Sequence, residues 1–474
     1  MTPLWTVAEV IKVTGGRAEG LSDVPLTSIS IDSREIAPEA LFIAIKGDVH
    51  DGHDFVARSL AAGASAALVS EAWFSANGGR QLIVVPDPLK ALGQMAVAAR
   101  ARNRGQIVAV TGSAGKTTTK EAIRTVLAAF GPTHYSIKSF NNHWGVPLML
   151  ARLPREAQFG VFEIGMNHAG EITPLVKMVR PHVAVITTVA AAHLEFFSSV
   201  AEIAAAKAEI FLGLEPGGTA VLNCDHEYLH ILFGHARAAE VGRVITYGFD
   251  DSADWRINRV DAAGSGTRVE VFHEGQRHFL NLQVAGRHMV ANAVAALIVA
   301  QLSGEGLSTA IEALAGFGAP EGRGLTLRLG PSEKPLLLVD ESYNANVASM
   351  NAAMDLYRSV TPPGGRKVLI LGDMLELGPQ GPSLHAGLLG AVLATGATEV
   401  YLVGPVMKSL ADALDERRQS DRDVPPVTHF ASVDEIAGSV LTGLAYGDAV
   451  MVKGSNGVRL AGLVQQIRDK FTDV

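Results

Sequence analysis

Short apolar runs bounded by Gly, Asp and Pro alternate along this chain with longer stretches of helical period, and that interleaving predicts an α/β protein built on parallel sheets. Runs at 29–32, 41–45, 66–69 and 82–85 predict the strands of a small first domain, and a helical stretch over 89–102 closes it. After Gly105 a stronger pattern begins. Runs at 107–111, 161–164, 183–187 and 220–223 are each followed by helical or loop sequence, the spacing of a parallel sheet covered on both faces. Residues 268–272 and 279–284 alternate around a glycine-containing turn and predict a hairpin late in this domain; an alanine-rich helix over 288–302 follows. A Gly- and Pro-containing linker at 318–324 leads to runs at 336–340, 368–371, 400–403 and 449–452, a third, Rossmann-like domain. The expected domains are therefore 1–104, 105–318 and 319–474.

Length supports this division, since 474 residues at roughly 150 per domain give about three. A hydrophobic share of 48% with 19% charged residues belongs to folded rather than disordered chains. The net charge of -8, without a block of Lys or Arg, excludes the electrostatic footprint of a nucleic-acid binder. A single cysteine, Cys224, has no internal disulfide partner and reads as a structural thiol in a reducing compartment. The stretch 1–16 carries Glu9 and Lys12 and lacks a signal-peptide core, and no run of about 18 apolar residues occurs, so a cytoplasmic location without membrane insertion is expected.

The strongest chemical signal is Thr111-Gly112-Ser113-Ala114-Gly115-Lys116-Thr117, between an apolar strand and a helix reaching about residue 130. A strand, a Gly-rich turn and a helix N-terminus aim backbone N–H groups at phosphate oxygens; Lys116 adds charge, and the Thr117 hydroxyl suits magnesium. Val110 stands where the usual first glycine of such a loop would be. The nearest approach to a guanine signature, Asn258-Arg259-Val260-Asp261, falls in hairpin sequence, so ATP is the expected nucleotide. Glu163 ends an apolar strand and His193 follows the next, which puts both at the carboxyl edge of the sheet, where open α/β folds bind ligands.

Lys207 falls on the apolar stripe that Val200, Ile203, Ile210, Phe211 and Leu214 form on a helix over 200–214. Either its stem packs and its ammonium snorkels to water, or it is a lysine of lowered pKa that reacts with carbon dioxide to give a metal-binding carbamate. Asp340-Glu341-Ser342-Tyr343-Asn344-Ala345-Asn346 follows a strand and precedes a helix, which fits a capped turn as well as a binding segment. Arg323, in the linker, is either a solvated charge or a phosphate contact completed when domains close.

Taken in order, the shortened phosphate loop, Glu163, His193, Lys207 in Ala206-Lys207-Ala208-Glu209-Ile210, the segment Gly286-Arg287-His288-Met289-Val290-Ala291-Asn292-Ala293, and Arg323 resemble the Mur ligase family over nearly the whole chain. The resemblance implies a first domain for a UDP-linked substrate, a central P-loop ATPase domain and a C-terminal Rossmann-like domain. Asp340 to Asn346 and Leu371-Gly372-Asp373-Met374-Leu375-Glu376-Leu377-Gly378 narrow the implied reaction: ATP-dependent addition of D-alanyl-D-alanine to UDP-N-acetylmuramoyl-tripeptide through an acyl phosphate, by a monomer. It implies nucleotide contacts from Gly112, Ser113, Ala114, Gly115, Lys116, Thr117, Thr118, Asn292, Arg323, Asp340 and Asn344. Magnesium would be held by Thr117 and Glu163, and a second ion by His193 and carbamylated Lys207; Lys116, His193, Lys207 and Arg323 would serve catalysis. Substrate contacts would come from Ser33, Arg34, Asp51, Gly52 and His53 in the first domain and from Asn141 and Asn142. Met289, Val347, Asn456 and Ala461 depart from the family pattern. Two rivals stay open: a sister ligase of folylpolyglutamate or cyanophycin type, and a P-loop ATPase that couples hydrolysis to motion.

Overall fold

The computed structural model describes residues 3–263 and 266–472, so the first two residues of the N-terminal stretch lie outside it. Among the described residues the strands form sheets of five, nine and six strands, in chain order, with a two-stranded ribbon of Trp5–Thr6 and Pro25–Leu26 beside the first. In the first sheet Ser28–Ser30, Ala40–Ile43, Ala66–Ser70 and Leu82–Val85 run parallel, and Arg17–Glu19 closes the edge antiparallel.

The central sheet is organised around Gln106–Thr111, which lies between Phe159–Glu163 and Val183–Ile186 and is parallel to both. Successive residues of this strand feed opposite cores. Ile107 and Ala109 join one apolar cluster with the helix Pro88–Arg102, while Val108 and Val110 join another with the helices Lys116–Ala128 and Arg287–Leu302. A strand covered on both faces must be apolar at every position, which is why its sequence is a continuous run. Burial also explains the helix Arg287–Leu302, whose residues from Met289 to Ala300 are all buried.

The hairpin Gly266–His273 and Gln276–Leu282 is part of a larger extension, because Trp255–Ala263 pairs antiparallel with it and joins it to the central sheet. The third sheet holds the four expected strands and two more at its edges, Leu325–Leu329 and Val427–Phe430. One expectation changes form. The helix over 200–214 is an α-helix only over Val200–Ala208 and tightens to a 3-10 turn over Glu209–Gly213. There Gly213 passes against the helix Ile172–Val179, where a Cβ would sit 2.4 Å from the Val176 carbonyl oxygen. Lys207 nevertheless keeps its buried face.

The first and central domains are joined by specific contacts as well as a shared core. Trp5 Nε1 donates to the Ala151 carbonyl at 2.9 Å, and Arg152 Nε donates to the Ile29 carbonyl at 2.8 Å.

Candidate nucleotide and ligation site

The chain leaves Gln106–Thr111 toward Phe159–Glu163 on one side and later returns to Val183–Ile186 on the other, so the carboxyl end of this strand is the point where the sheet order reverses. The phosphate loop starts there. Two of its glycines are demanded by geometry: Gly112 has φ 151°, and a Cβ would meet Thr187 Oγ1 at 1.9 Å; Gly115 has φ 81°, and a Cβ would meet Asn292 Oδ1 at 3.0 Å. Ser113 is pinned through its backbone N–H to the Thr188 carbonyl at 2.8 Å and through its hydroxyl to the Ala190 carbonyl at 2.9 Å. Asn292 accepts from the Thr119 hydroxyl at 3.0 Å, which locks the Arg287–Leu302 helix to the helix that begins at Lys116.

Glu163, 1% exposed, is the centre of the polar network. Thr117 Oγ1 donates to one carboxylate oxygen at 2.7 Å and Asn141 Nδ2 to the other at 2.7 Å. Lys116 Nζ donates to the Gly112 carbonyl at 2.8 Å. Burial lowers the Lys116 pKa, opposed by Glu163 and assisted by Arg323. Arg323 reaches in from the third domain, with its guanidinium 4.1 Å from the Tyr343 ring centroid and Nη2 donating to Ser139 Oγ at 3.3 Å.

These groups line a cavity of about 1130 Å³ between the phosphate loop and the third domain. Its walls include Ser113, Ala114, Gly115, Lys116, Thr117, Thr118, Asn141, Glu163, Asn292, Arg323 and Asn344 from the expected set. Gly112 lies behind the loop, and Asn142 accepts from the Gly145 N–H at 2.9 Å at the start of a helix. Asp340 is turned away: its carboxylate accepts from the Gly322 N–H at 3.1 Å, the Ser342 N–H at 3.1 Å and the Ser342 hydroxyl at 2.6 Å. That is the capped-turn alternative. Its neighbour Glu341 faces the cavity instead, 3.2 Å from Lys453 Nζ, which also donates to the Asn344 carbonyl at 3.0 Å.

His193 and Lys207 are not on the cavity wall. His193, with φ 56°, meets Glu376 of the third domain through Nδ1 at 2.5 Å. That hydrogen bond holds the Glu376 carboxyl below its ordinary range. Lys207 is 1% exposed, and its pKa is pushed well below 10.5, first by burial and then by the charge of Lys116. Among the described residues no group of three or more His, Cys, Asp and Glu is arranged to hold a metal ion. Both expected ion sites draw on other donors, a threonine hydroxyl in one and a modified lysine in the other.

The first-domain residues form a cluster of their own. Asp32 pairs with Arg34 at 2.6 Å, and Ser33 lies between them. Asp51 accepts from the His53 backbone N–H at 3.0 Å and its ring Nδ1 at 2.6 Å, while His53 Nε2 accepts from the Ser70 N–H at 3.0 Å. A Cβ on Gly52 would sit 2.6 Å from the Ile45 carbonyl oxygen, so this glycine is required by close packing. Asp51, Gly52 and His53 thus shape their loop before any ligand arrives.

Sequence reasoning missed Ser139, Glu341, Lys453 and the pairing role of Glu376. Lys453 had the signal that singled out Glu163, a charged residue ending an apolar strand. Asn346 also does more than cap the helix Val347–Arg358, because its Nδ2 donates to the Ser113 carbonyl of the phosphate loop at 3.1 Å. Val347 occupies the first position of that helix, where proline is favoured but not needed.

Comparison with known proteins matches residues 25–100 to the Mur ligase family catalytic domain, 110–300 to the Mur ligase middle domain and 328–456 to the Mur ligase glutamate ligase domain. The UDP-N-acetylmuramoyl-tripeptide–D-alanyl-D-alanine ligase of Escherichia coli (strain K12) is 32% identical over 473 residues, covering 98% of this chain and 99% of that one. The ligase of the same name from Rickettsia prowazekii is 29% identical over 443 residues, 94% and 95% of the two chains. A crystal structure of MurF from Acinetobacter baumannii superposes with a TM-score of 0.83 at 27% identity, covering 98% of this chain and 99% of that one.

Proposed function

The chain belongs to the Mur ligase family, and from that premise we propose that it joins D-alanyl-D-alanine to UDP-N-acetylmuramoyl-tripeptide at the expense of ATP, in peptidoglycan precursor synthesis. The geometric support is the cavity itself, in which a phosphate-binding face carrying Lys116 and Thr117 is opposed by Arg323, Asn344 and Lys453 from another domain.

A carboxylate is a poor acyl donor, so the acceptor's terminal carboxylate attacks the γ-phosphorus of ATP; ADP leaves and an acyl phosphate forms. Lys116 and the loop N–H groups hold the phosphates in line, and Arg323 meets charge on the transferring group. Thr117 and Glu163 fit a magnesium ion, since a hydroxyl and a carboxylate oxygen, the hard donors this ion takes, lie buried 2.7 Å apart. Bound magnesium neutralises the crowded phosphate and carboxylate oxygens. The amine of D-alanyl-D-alanine then attacks the acyl carbon, the acyl C–O bond breaks with release of inorganic phosphate, and the ammonium proton is lost to solvent. With an α-amino pKa near about 8, enough amine is neutral at pH 7.5 without a strong base.

For a second ion we propose that neutral Lys207 Nζ adds to carbon dioxide, forming an N–C bond and releasing a proton, so that the buried amine becomes a bidentate anion beside Lys116. Glu376 fixes the His193 ring through Nδ1 and leaves Nε2 as the ligating nitrogen. Residues 1–104 hold the UDP end through the loops of Ser33–Arg34 and Asp51–His53, and the enzyme acts as a cytoplasmic monomer. Among the described residues no helix is long and apolar enough to cross a membrane.

The test is phosphate release with ATP, UDP-muramoyl-tripeptide and D-alanyl-D-alanine, each omitted in turn. Release that depends on all three, with formation of the pentapeptide product, is expected; undiminished release from ATP alone would sink the ligase reading.

A further inference from the structure

One turn beyond Lys116, on the same helix, lies a second lysine that the reaction as described does not use. Lys120 is completely buried, and its Nζ donates to the Ser136 carbonyl at 2.6 Å and the Lys138 carbonyl at 3.2 Å. Glu121 supplies the counter-charge at 2.8 Å, and the Tyr135 ring lies 5.8 Å away. A buried ammonium is expensive unless every donor is used. What it holds is the segment 136–142, and that segment makes contacts with all three domains.

Ser136 Oγ accepts from the Glu163 N–H at 3.3 Å. Lys138, forced to φ 51°, reaches Glu35 of the first domain at 3.0 Å. Ser139 accepts from Arg323 of the third domain, and Asn141 donates to the Glu163 carboxylate. The two carbonyls bound by Lys120 therefore fix the stretch from which Ser139 and Asn141 address Arg323 and Glu163.

We propose that Lys120 is a positioning residue for the ligation reaction: it ties the phosphate-loop helix to the 136–142 segment, and so sets the geometry with which that segment presents the UDP-linked acceptor to bound nucleotide. This rests on the ligase reading above, but its test is separable. Lys120→Met keeps the volume and removes the charge and its donors. We expect the KM for UDP-muramoyl-tripeptide to rise about tenfold or more while magnesium-free ADP affinity, measured by calorimetry, stays within about threefold; Lys120→Arg, which keeps donors for the carbonyls, should recover most of the acceptor affinity.

A lysine that merely stabilises the fold predicts something else: a lower fraction of active enzyme and a lower Tm, with acceptor KM and ADP affinity unchanged. That pattern, or equal rises in acceptor KM and ADP dissociation constant, overturns the proposal. Should Lys120→Met fail to fold, Lys120→Gln removes the charge while keeping a shorter, neutral amide donor, and reads the same split. Loss of phosphate release in the unaltered enzyme would instead condemn the ligase assignment, and leaves the two failures distinguishable.

Discussion

Replacing Lys207 with methionine should raise stability and abolish ligation together. The side chain is 1% exposed, no carboxylate of the described residues forms an ion pair with it, and its nearest named charge is Lys116, of the same sign. An ammonium in such a place costs several kcal/mol even after relaxation, and the lysine escapes part of that by giving up its proton. Methionine has a similar length and no charge, so in buffer stripped of carbon dioxide at neutral pH we expect Lys207→Met to gain about 2 kcal/mol. For a domain of roughly two hundred residues that is a Tm rise of about 4 to 8 °C. The sign with pH follows from a folded pKa below the unfolded 10.5: the unfolded chain binds more protons between the two values, so wild-type stability increases with pH there. The gap between the proteins is thus widest at low pH and closes as pH approaches 10.5. Bicarbonate supplies the second axis. It should raise the wild-type Tm, because a carbamate beside Lys116 is a compensated anion, and leave Lys207→Met unmoved. Scanning calorimetry across pH with and without bicarbonate reads both. A gap indifferent to bicarbonate refutes the carbamate, and no gap at all refutes the claim that this cation is buried without compensation.

Three further outcomes can be checked. Lys116→Ala should leave Tm within a few degrees yet retain less than about a tenth of the ligation rate, a factor that corresponds to about 1.4 kcal/mol of barrier; greater retention would mean that the phosphate loop is misassigned. His134 is held neutral by burial, with its pKa lowered from 6.5 to about 4, so stability should be constant above pH 6.5 and fall as pH drops toward 4, by something on the order of 3 kcal/mol. In thermal melts His134→Gln should show a shallower acid slope than the wild type, and equal slopes would exclude this imidazole as a source of acid lability. Cys224 lines the cavity, but burial, with Asp225 and Asp250, pushes its thiol up to about 11. Its alkylation by iodoacetamide at pH 7.5 should be far slower than that of glutathione and slower still with ADP bound; rapid labelling would contradict the inert reading.

How far the fold could be read beforehand depended on which faces of a strand are covered. Val183–Ile186 and Ala449–Lys453 are buried along their whole length and, up to the terminal Lys453, announced themselves as unbroken apolar runs. Trp255–Ala263 did not, because Arg256, Asn258, Arg259 and Asp261 interrupt its apolar positions; Leu325–Leu329 and Val427–Phe430 are edge strands with partly exposed faces. Their pairing partners, not their composition, make them strands.

The same limit governs the site. Groups that sit at the end of a strand or the start of a helix, such as Glu163, Lys116 and Thr117, carry a local signature, whereas the Asn346 bond to the Ser113 carbonyl and the His193 pairing with Glu376 join residues far apart in the chain. Asp340 and Glu341 show why even a well-placed motif is ambiguous by one residue. Adjacent strand positions point to opposite faces, so of two consecutive carboxylates only one enters the cavity. The apolar run before them is buried on both sides and has no polar alternation to say which face is which. What decides is Gly322, held at φ 71° by the linker turn, whose N–H takes one Asp340 oxygen, and Ser342, which takes the other. Glu341 is left to pair with Lys453 across the cavity wall. A carboxylate expected at the nucleotide becomes the latch of the linker that carries Arg323, and its effect on the reaction passes through where that arginine is held.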